Sequence, residues 1–253
     1  MVAVIRIVAV VIVLAVIGVV LIPRLAGLGR PSAAIPAPDW APPVAAAAPT
    51  PAAALGAPGI ASRVDPAWAT ATAAATGIPE RAVLAYAGAA LLKAEATPAC
   101  RLSWTTLAAI GEAESDHGRH GGSSIAADGT VSPPIYGVAL NGGGVALIPD
   151  SDGGAIDQDA AADRAVGPMQ LIPQTWRNWH TDGNGDGVDD PQNIDDAVMA
   201  TTNYLCRASS GLDTESGWRA AITAYNSAPS YLDKVATFAV RYNRLAAAAA
   251  AAR

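Results

Sequence analysis

Two glutamates close the segment SWTTLAAIGEAESDHGR, and their spacing against its apolar residues decides which can do acid–base chemistry. Trp104, Leu107 and Ile110 recur at i+3, which marks the buried face of a helix predicted over Trp104–Asp116 with Ser103 as its N-cap. Glu114 comes one helical turn after Ile110 and falls on that face. Glu112 lies about 200° round the helix and is expected to point to solvent. An apolar face penalises an ionised carboxylate, and the negative end of the helix dipole near Gly118 acts the same way. Both raise the pKa of Glu114, and a carboxylic acid kept protonated near neutral pH suits a general acid. The residues alone leave a plainer alternative open, in which Glu114 only pairs with Arg119 or caps a neighbouring turn.

A second set of oxygen donors lies in DGNGDG, residues 182–187. Asp182, Asn184 and Asp186 occupy loop positions 1, 3 and 5, glycine occupies position 6, and the Val188 carbonyl can serve as position 7. This order suits a structural Ca²⁺, although Asn193 at position 12 cannot supply a bidentate carboxylate. The alternative is an Asx-rich turn leading to a helix capped by Asn193. His117, His120 and His180 do not cluster with cysteine at zinc-site spacing, and no organic cofactor is expected. Trp104, Trp176, Trp179, Tyr204, Trp218 and Tyr231 offer faces for sugar rings. At helical spacing most of them should be core, with Trp176 and Trp179 the least certain to be so.

The elements that must position these groups are mostly helical. Asp65-Pro66 reads as a helix start, with a stop near Gly77; a second helix runs from Pro79 and ends before Pro98, with Val83, Tyr86, Ala87, Ala90 and Leu91 on one face. Further helices are predicted at Pro173–Trp179, Ile194–Arg207, Ser216–Asn226 and Pro229–Leu245, with Ala246–Ala252 continuing the last or fraying. Between Gly118 and Val166 lies an irregular Gly/Asp/Pro-rich insertion, in which YGVAL and GVALIP can form a short hairpin. The expected fold class is α+β and mostly helical. The predicted organisation is an N-terminal segment 1–28, a Pro/Ala-rich linker 29–64, a catalytic domain 65–245 and an Ala-rich tail 246–253.

Composition narrows the function classes. The 253 residues carry a formal net charge of −6, which lacks the basic footprint of a nucleic-acid binder. Eleven of the 17 Asp lie between Asp150 and Asp196, among glycines, as expected of loops and a hard cation. Mean hydropathy is +0.28, and most of the excess sits at the N-terminus. There IVAVVIVLAVIGVVLI, residues 7–22, is uncharged and, with Val2–Ile5, long enough to span a bilayer core. Pro23 and Arg24 follow at once and Ser32-Ala33-Ala34 is a poor cleavage site, so an uncleaved signal anchor is favoured over a cleaved signal. Behind such a segment, Cys100 and Cys206 are expected to form a disulfide, worth ~4–5 kcal/mol for a loop of about 100 residues. The catalytic domain is therefore expected outside the cytoplasmic membrane, anchored or secreted, at the end of a Pro/Ala tether.

Four blocks in fixed order, IGEAESDHGR, AVGPMQLIPQTWRNW, DGNGDGVDDPQNIDDAVMATTNYLC and AITAYNSAPSYL, resemble the lytic murein transglycosylases, most closely the MltB-like branch of actinobacterial type. The resemblance spans about Asp65 to Tyr242. It implies a lysozyme-like fold and cleavage of the β-1,4 bond between N-acetylmuramic acid and N-acetylglucosamine in peptidoglycan, without water, leaving 1,6-anhydromuramoyl ends. By the motif match Glu114 is the single catalytic acid/base and Ser115 its neighbour. Gly167, Met169 and Gln170 line the cleft, and Tyr225 and Asn226 contact the acid and the sugar. Ala228 departs from the Ser or Gly more usual there. The longer metal loop of these enzymes makes Asp196 the last ligand. A monomer working on glycan strands is implied, with the membrane as second partner through the N-terminal segment. Two other readings remain: a muramidase-type hydrolase, should Asp150, Asp152, Asp157 or Asp163 reach the cleft, and a non-catalytic wall-binding module.

Overall fold

Asp65 and Pro66 start the first helix as the sequence predicts. The Asp65 carboxylate accepts the Trp68 N–H at 2.7 Å, and α1 (Pro66–Thr76) stops at Gly77, whose φ of 75° is left-handed. The computed structural model describes residues 48–251, so the predicted membrane segment and most of the tether lie outside the described residues. After α1 come α2 (Glu80–Ala96), α3 (Trp104–Ser115), α4 (Pro173–Trp179), α5 (Ile194–Ala208), α6 (Glu215–Tyr225) and α7 (Pro229–Ala251). Among the described residues no helix is long and apolar enough to cross a membrane. The class is mostly helical α+β, as expected.

Three features differ from the sequence reading. First, α3 is buried all round from Trp104 to Gly111, because α2 and α7 both pack on it. Its sequence there holds only Trp, Thr, Leu, Ala, Ile and Gly, so no face demands water. Second, the strand content lies elsewhere: β1 (Ser124–Ile125) and β2 (Val131–Ser132) form a short antiparallel ladder. YGVAL and GVALIP do turn back on each other, but through single bonds such as Ile148 N–H to Leu140 O at 2.7 Å. Third, the folded part begins before the predicted boundary at Asp65. Ala52 N–H donates to Arg63 O at 2.8 Å, Ile60 N–H to Gly183 O at 2.9 Å, and Ile60 and Val64 are buried. A strap of about residues 50–64 therefore belongs to the domain.

α7 continues through the alanines to Ala251, so residues 246–251 extend the helix. Cys100 and Cys206 form a disulfide, with Cα atoms 5.2 Å apart across a sequence separation of 106. It ties the α2–α3 connection to the end of α5, which fixes α3 from its N-terminal side. At the other end α3 closes on Asp116, left-handed at φ 52°, and the chain folds back beneath the helix.

Candidate active site

Where α3 emerges from the core, Glu114 opens into a cleft of about 460 Å³ lined also by Ala113, His120, Tyr136, Arg164, Gln170, Tyr231 and Lys234. That volume lies in the range of small-ligand pockets. Val138, an apolar side chain 58% exposed, sits at the rim. Glu114 is partly buried, and burial pushes its carboxyl up to about 7, against the opposing pull of the Tyr231 hydrogen bond and the Lys234 charge. Tyr231, at the start of α7, donates from Oη to Glu114 Oε1 at 2.5 Å. Burial, and the Glu114 charge beside it, hold the Tyr231 phenol well above its ordinary pKa, so it remains a donor. Arg119 is not the partner of Glu114; it pairs with Asp116 at 2.6 Å. Glu112 is the correction on this helix. It does not face solvent but accepts from Tyr242 Oη at 2.5 Å and pairs with Arg241, because α7 covers that side of α3.

The residues carried over from the family motifs divide between floor and wall. Gln170 lines the cleft and donates from Nε2 to Gly167 O at 2.9 Å. Gly167, at φ 73°, lies against Pro191, whose carbonyl oxygen would be 1.8 Å from a Cβ at that position. Ser115 is buried and donates to Pro168 O at 2.6 Å while accepting Gly118 N–H at 2.8 Å, which pins the GPMQ segment to the end of α3. Met169 is buried, and its carbonyl accepts from Tyr225 Oη at 2.5 Å. Tyr225 therefore does not bond the acid; its ring stacks behind Tyr231, 6.4 Å between centroids. Asn226 is buried and accepts Ala228 N–H at 3.0 Å, closing the α6–α7 turn that sets Tyr231. Ser115, Met169, Tyr225 and Asn226 hold the cleft in shape from behind.

Sequence reasoning weighed Tyr231 only as a sugar-stacking ring and did not single out Tyr136, Arg164 or Lys234. Trp104, Trp176 and Trp218 are core, and Trp179 and Tyr204 pack against it. The aspartates of the insertion do not line the cleft. Asp150, Asp152 and Asp163 lie together, with Asp163 accepting from Ser151 N–H and Oγ at 2.8 Å. Asp157 accepts Arg164 N–H at 2.5 Å. Among the described residues that line the cleft, Glu114 is the one carboxylate.

In the 182–187 loop, Asp182 accepts N–H bonds from Gly185 and Gly187 at 2.6 and 2.8 Å, Asn184 accepts Asp186 N–H, and Asp186 accepts Val188 N–H. Asp196, from the first turn of α5, accepts Gly183 N–H at 2.7 Å, Asp190 N–H at 2.9 Å and Asn184 N–H at 3.2 Å. It is wholly buried, burial pushes it up to about 6, and no cationic side chain pairs with it among the described residues. The set is all oxygen, as a hard cation requires, but backbone N–H groups already satisfy it in the manner of an Asx-rich turn, three of them at Asp196. A second hollow of about 350 Å³, between the strap and this loop, has only Arg63 and Asp182 as charged lining.

Residues 157–246, about a third of the chain, match the family model described as Transglycosylase SLT domain. The matched stretch holds the GPMQ segment, the 182–187 loop, Tyr225, Asn226, Tyr231 and Lys234, and Glu114 precedes it. No curated protein and no solved structure matches the chain.

Proposed function

We propose that the protein is a lytic transglycosylase that cleaves the MurNAc-β-1,4-GlcNAc bond of peptidoglycan and leaves 1,6-anhydromuramoyl ends. The observation that carries the reading is a single cleft carboxylate, held up at about 7 and bonded to a tyrosine. Tyr231 donates to Oε1, so the acid proton of Glu114 belongs on Oε2. In the proposed reaction that proton passes to the glycosidic oxygen as the bond to the muramoyl C1 breaks. The substrate's own N-acetyl oxygen shields the developing cation, because among the described residues that line the cleft there is no second carboxylate to serve as a retaining or inverting hydrolase's partner. The Glu114 carboxylate then takes the proton of the 6-hydroxyl, whose oxygen closes on C1. The acid is regenerated and no water is consumed.

Calcium at Asp182, Asn184, Asp186, the Val188 carbonyl and Asp196 is part of this proposal, as a brace and not a reactant. When bound it supplies positive charge to the buried Asp196 and ties the loop to α5. An extracytoplasmic domain, tethered through residues 1–47 in the cell envelope, is the setting these features suit: a disulfide, a wall substrate and an apolar N-terminal run.

Glu114→Gln tests the assignment, since the amide keeps the shape and cannot give up a proton. Cleavage of purified peptidoglycan should fall by about 10³-fold or more, the scale of general acid catalysis, with glycan binding retained. More than a few per cent of residual turnover would move the chemistry to another group.

A further inference from the structure

On the far side of α3 from the cleft runs a line of buried polar side chains that proton transfer at Glu114 does not use. Asp116 and His117 both adopt left-handed φ, 52° and 56°, and the His117 N–H reaches back to Gly111 O at 3.0 Å. His117 is thereby carried into the core, 1% exposed. Its Nδ1 lies 3.1 Å from Tyr86 Oη on α2, and its Nε2 lies 2.8 Å from Tyr242 Oη on α7. Tyr242 donates to Glu112 Oε2, which is also held by Arg241. A Cβ at Gly111 would stand 2.0 Å from Tyr86 Oη, so glycine there makes room for the hydroxyl.

Counting protons fixes the direction of this line. The Glu112 carboxylate only accepts, so the one phenolic proton of Tyr242 goes to it. His117 Nε2 must then carry a hydrogen and donate to Tyr242, and Nδ1 accepts from Tyr86. Burial, helped by the charges of Arg119 and Arg241, drives His117 down to about 3, so the ring is neutral. Each tyrosine along the line is held above its ordinary pKa by burial and remains a donor.

The two helices joined by Glu112 and Tyr242 are the two that meet in the cleft. Glu114 follows Glu112 on α3, and Tyr231 and Lys234 precede Tyr242 on α7. We propose that Tyr86, His117, Tyr242 and Glu112 form a positioning relay that fixes the rotation of α3 against α7 and so keeps Glu114 Oε1 within hydrogen-bonding reach of Tyr231. The inference rests on Glu114 being the acid, and its members act through Glu114 without touching substrate.

Tyr242→Phe removes the middle link and keeps the ring. Glu112→Gln keeps an acceptor oxygen for Tyr242, and Glu112→Ala does not. On peptidoglycan, kcat of folded Tyr242→Phe and Glu112→Ala should fall about tenfold with KM within about twofold, and Glu112→Gln should keep most of the wild-type rate. In crystals of either damaged variant Tyr231 Oη should have left Glu114 Oε1. Nitrogen-15 NMR of wild-type His117 should show the hydrogen on Nε2 at neutral pH. Should Tyr242→Phe not fold, Glu112→Ala at the outer end of the line gives the same reading. Unchanged kcat with the tyrosine–glutamate contact intact would overturn the positioning role, and a hydrogen on Nδ1 would overturn the direction. A wild-type protein that leaves peptidoglycan uncut would defeat the functional reading alone, since the tautomer and the crystal distance report on the relay without turnover.

Discussion

In the proposed reaction Glu114 works only if its proton stays on until substrate is in place, and the balance around it is readable residue by residue. Burial raises its carboxyl to about 7, while the Tyr231 bond and Lys234 pull the other way. The acid form is present below that value and is lost as pH rises through it, so kcat/KM should decline on the alkaline side with a midpoint near 7. Tyr231→Phe removes a bond that favours the charged form, so the midpoint should move to higher pH while the rate falls. A pH–rate profile of the variant checks this; an unmoved alkaline limb would take Tyr231 out of the site. Glu114 was legible in sequence because the apolar positions before it, Leu107 and Ile110, define a helical face. Glu112 was misread because its partners Arg241 and Tyr242 sit on α7, far along the chain, where no periodicity of α3 can point. Tyr231 was underrated for the same reason: a tyrosine in a first helical turn carries no local mark of what it will bond.

At the level of elements, the cleft depends on one close approach. Gly167 starts the turn that carries Gln170 to the cleft and puts Met169 where Tyr225 can bond its carbonyl. Its left-handed φ of 73° and the Pro191 carbonyl 1.8 Å from a notional Cβ leave no room for a side chain. Gly167→Ala should therefore cost about 2 kcal/mol or more of stability and lower turnover as well. Thermal melting and a cleavage assay measure both, and a variant that is stable and active would mean the turn is not held as described. Helix ends were the most legible elements, since Asp65, Pro66 and Gly77 act through their own backbone preferences. The strap was not. Its Pro/Ala composition has no period, and its attachment rests on Ile60 and Val64 meeting surfaces of distant segments, including the Gly183 carbonyl.

For the whole molecule, the disulfide, the strap and the 182–187 loop all brace α5 or its approach, while α3 and α7 carry Glu114 and Tyr231. If calcium occupies that loop it binds the native state alone and stabilises by RT ln(1 + [L]/Kd), or ~2.7 kcal/mol at about a hundredfold excess over Kd. Millimolar calcium should then raise the melting temperature by a few degrees, and Asp186→Ala should abolish the shift. A melting temperature indifferent to calcium and to chelator would return DGNGDG to an Asx turn. The proposed reaction is decided by the fate of the glycan. Peptidoglycan digested by the wild-type protein, with Glu114→Gln as control, is analysed by mass spectrometry for the chemistry of the new muramoyl ends. The expected result is 1,6-anhydromuramoyl ends in the wild-type digest and none from Glu114→Gln; reducing muramic acid ends, each heavier by one water, would contradict it and make the protein a hydrolase.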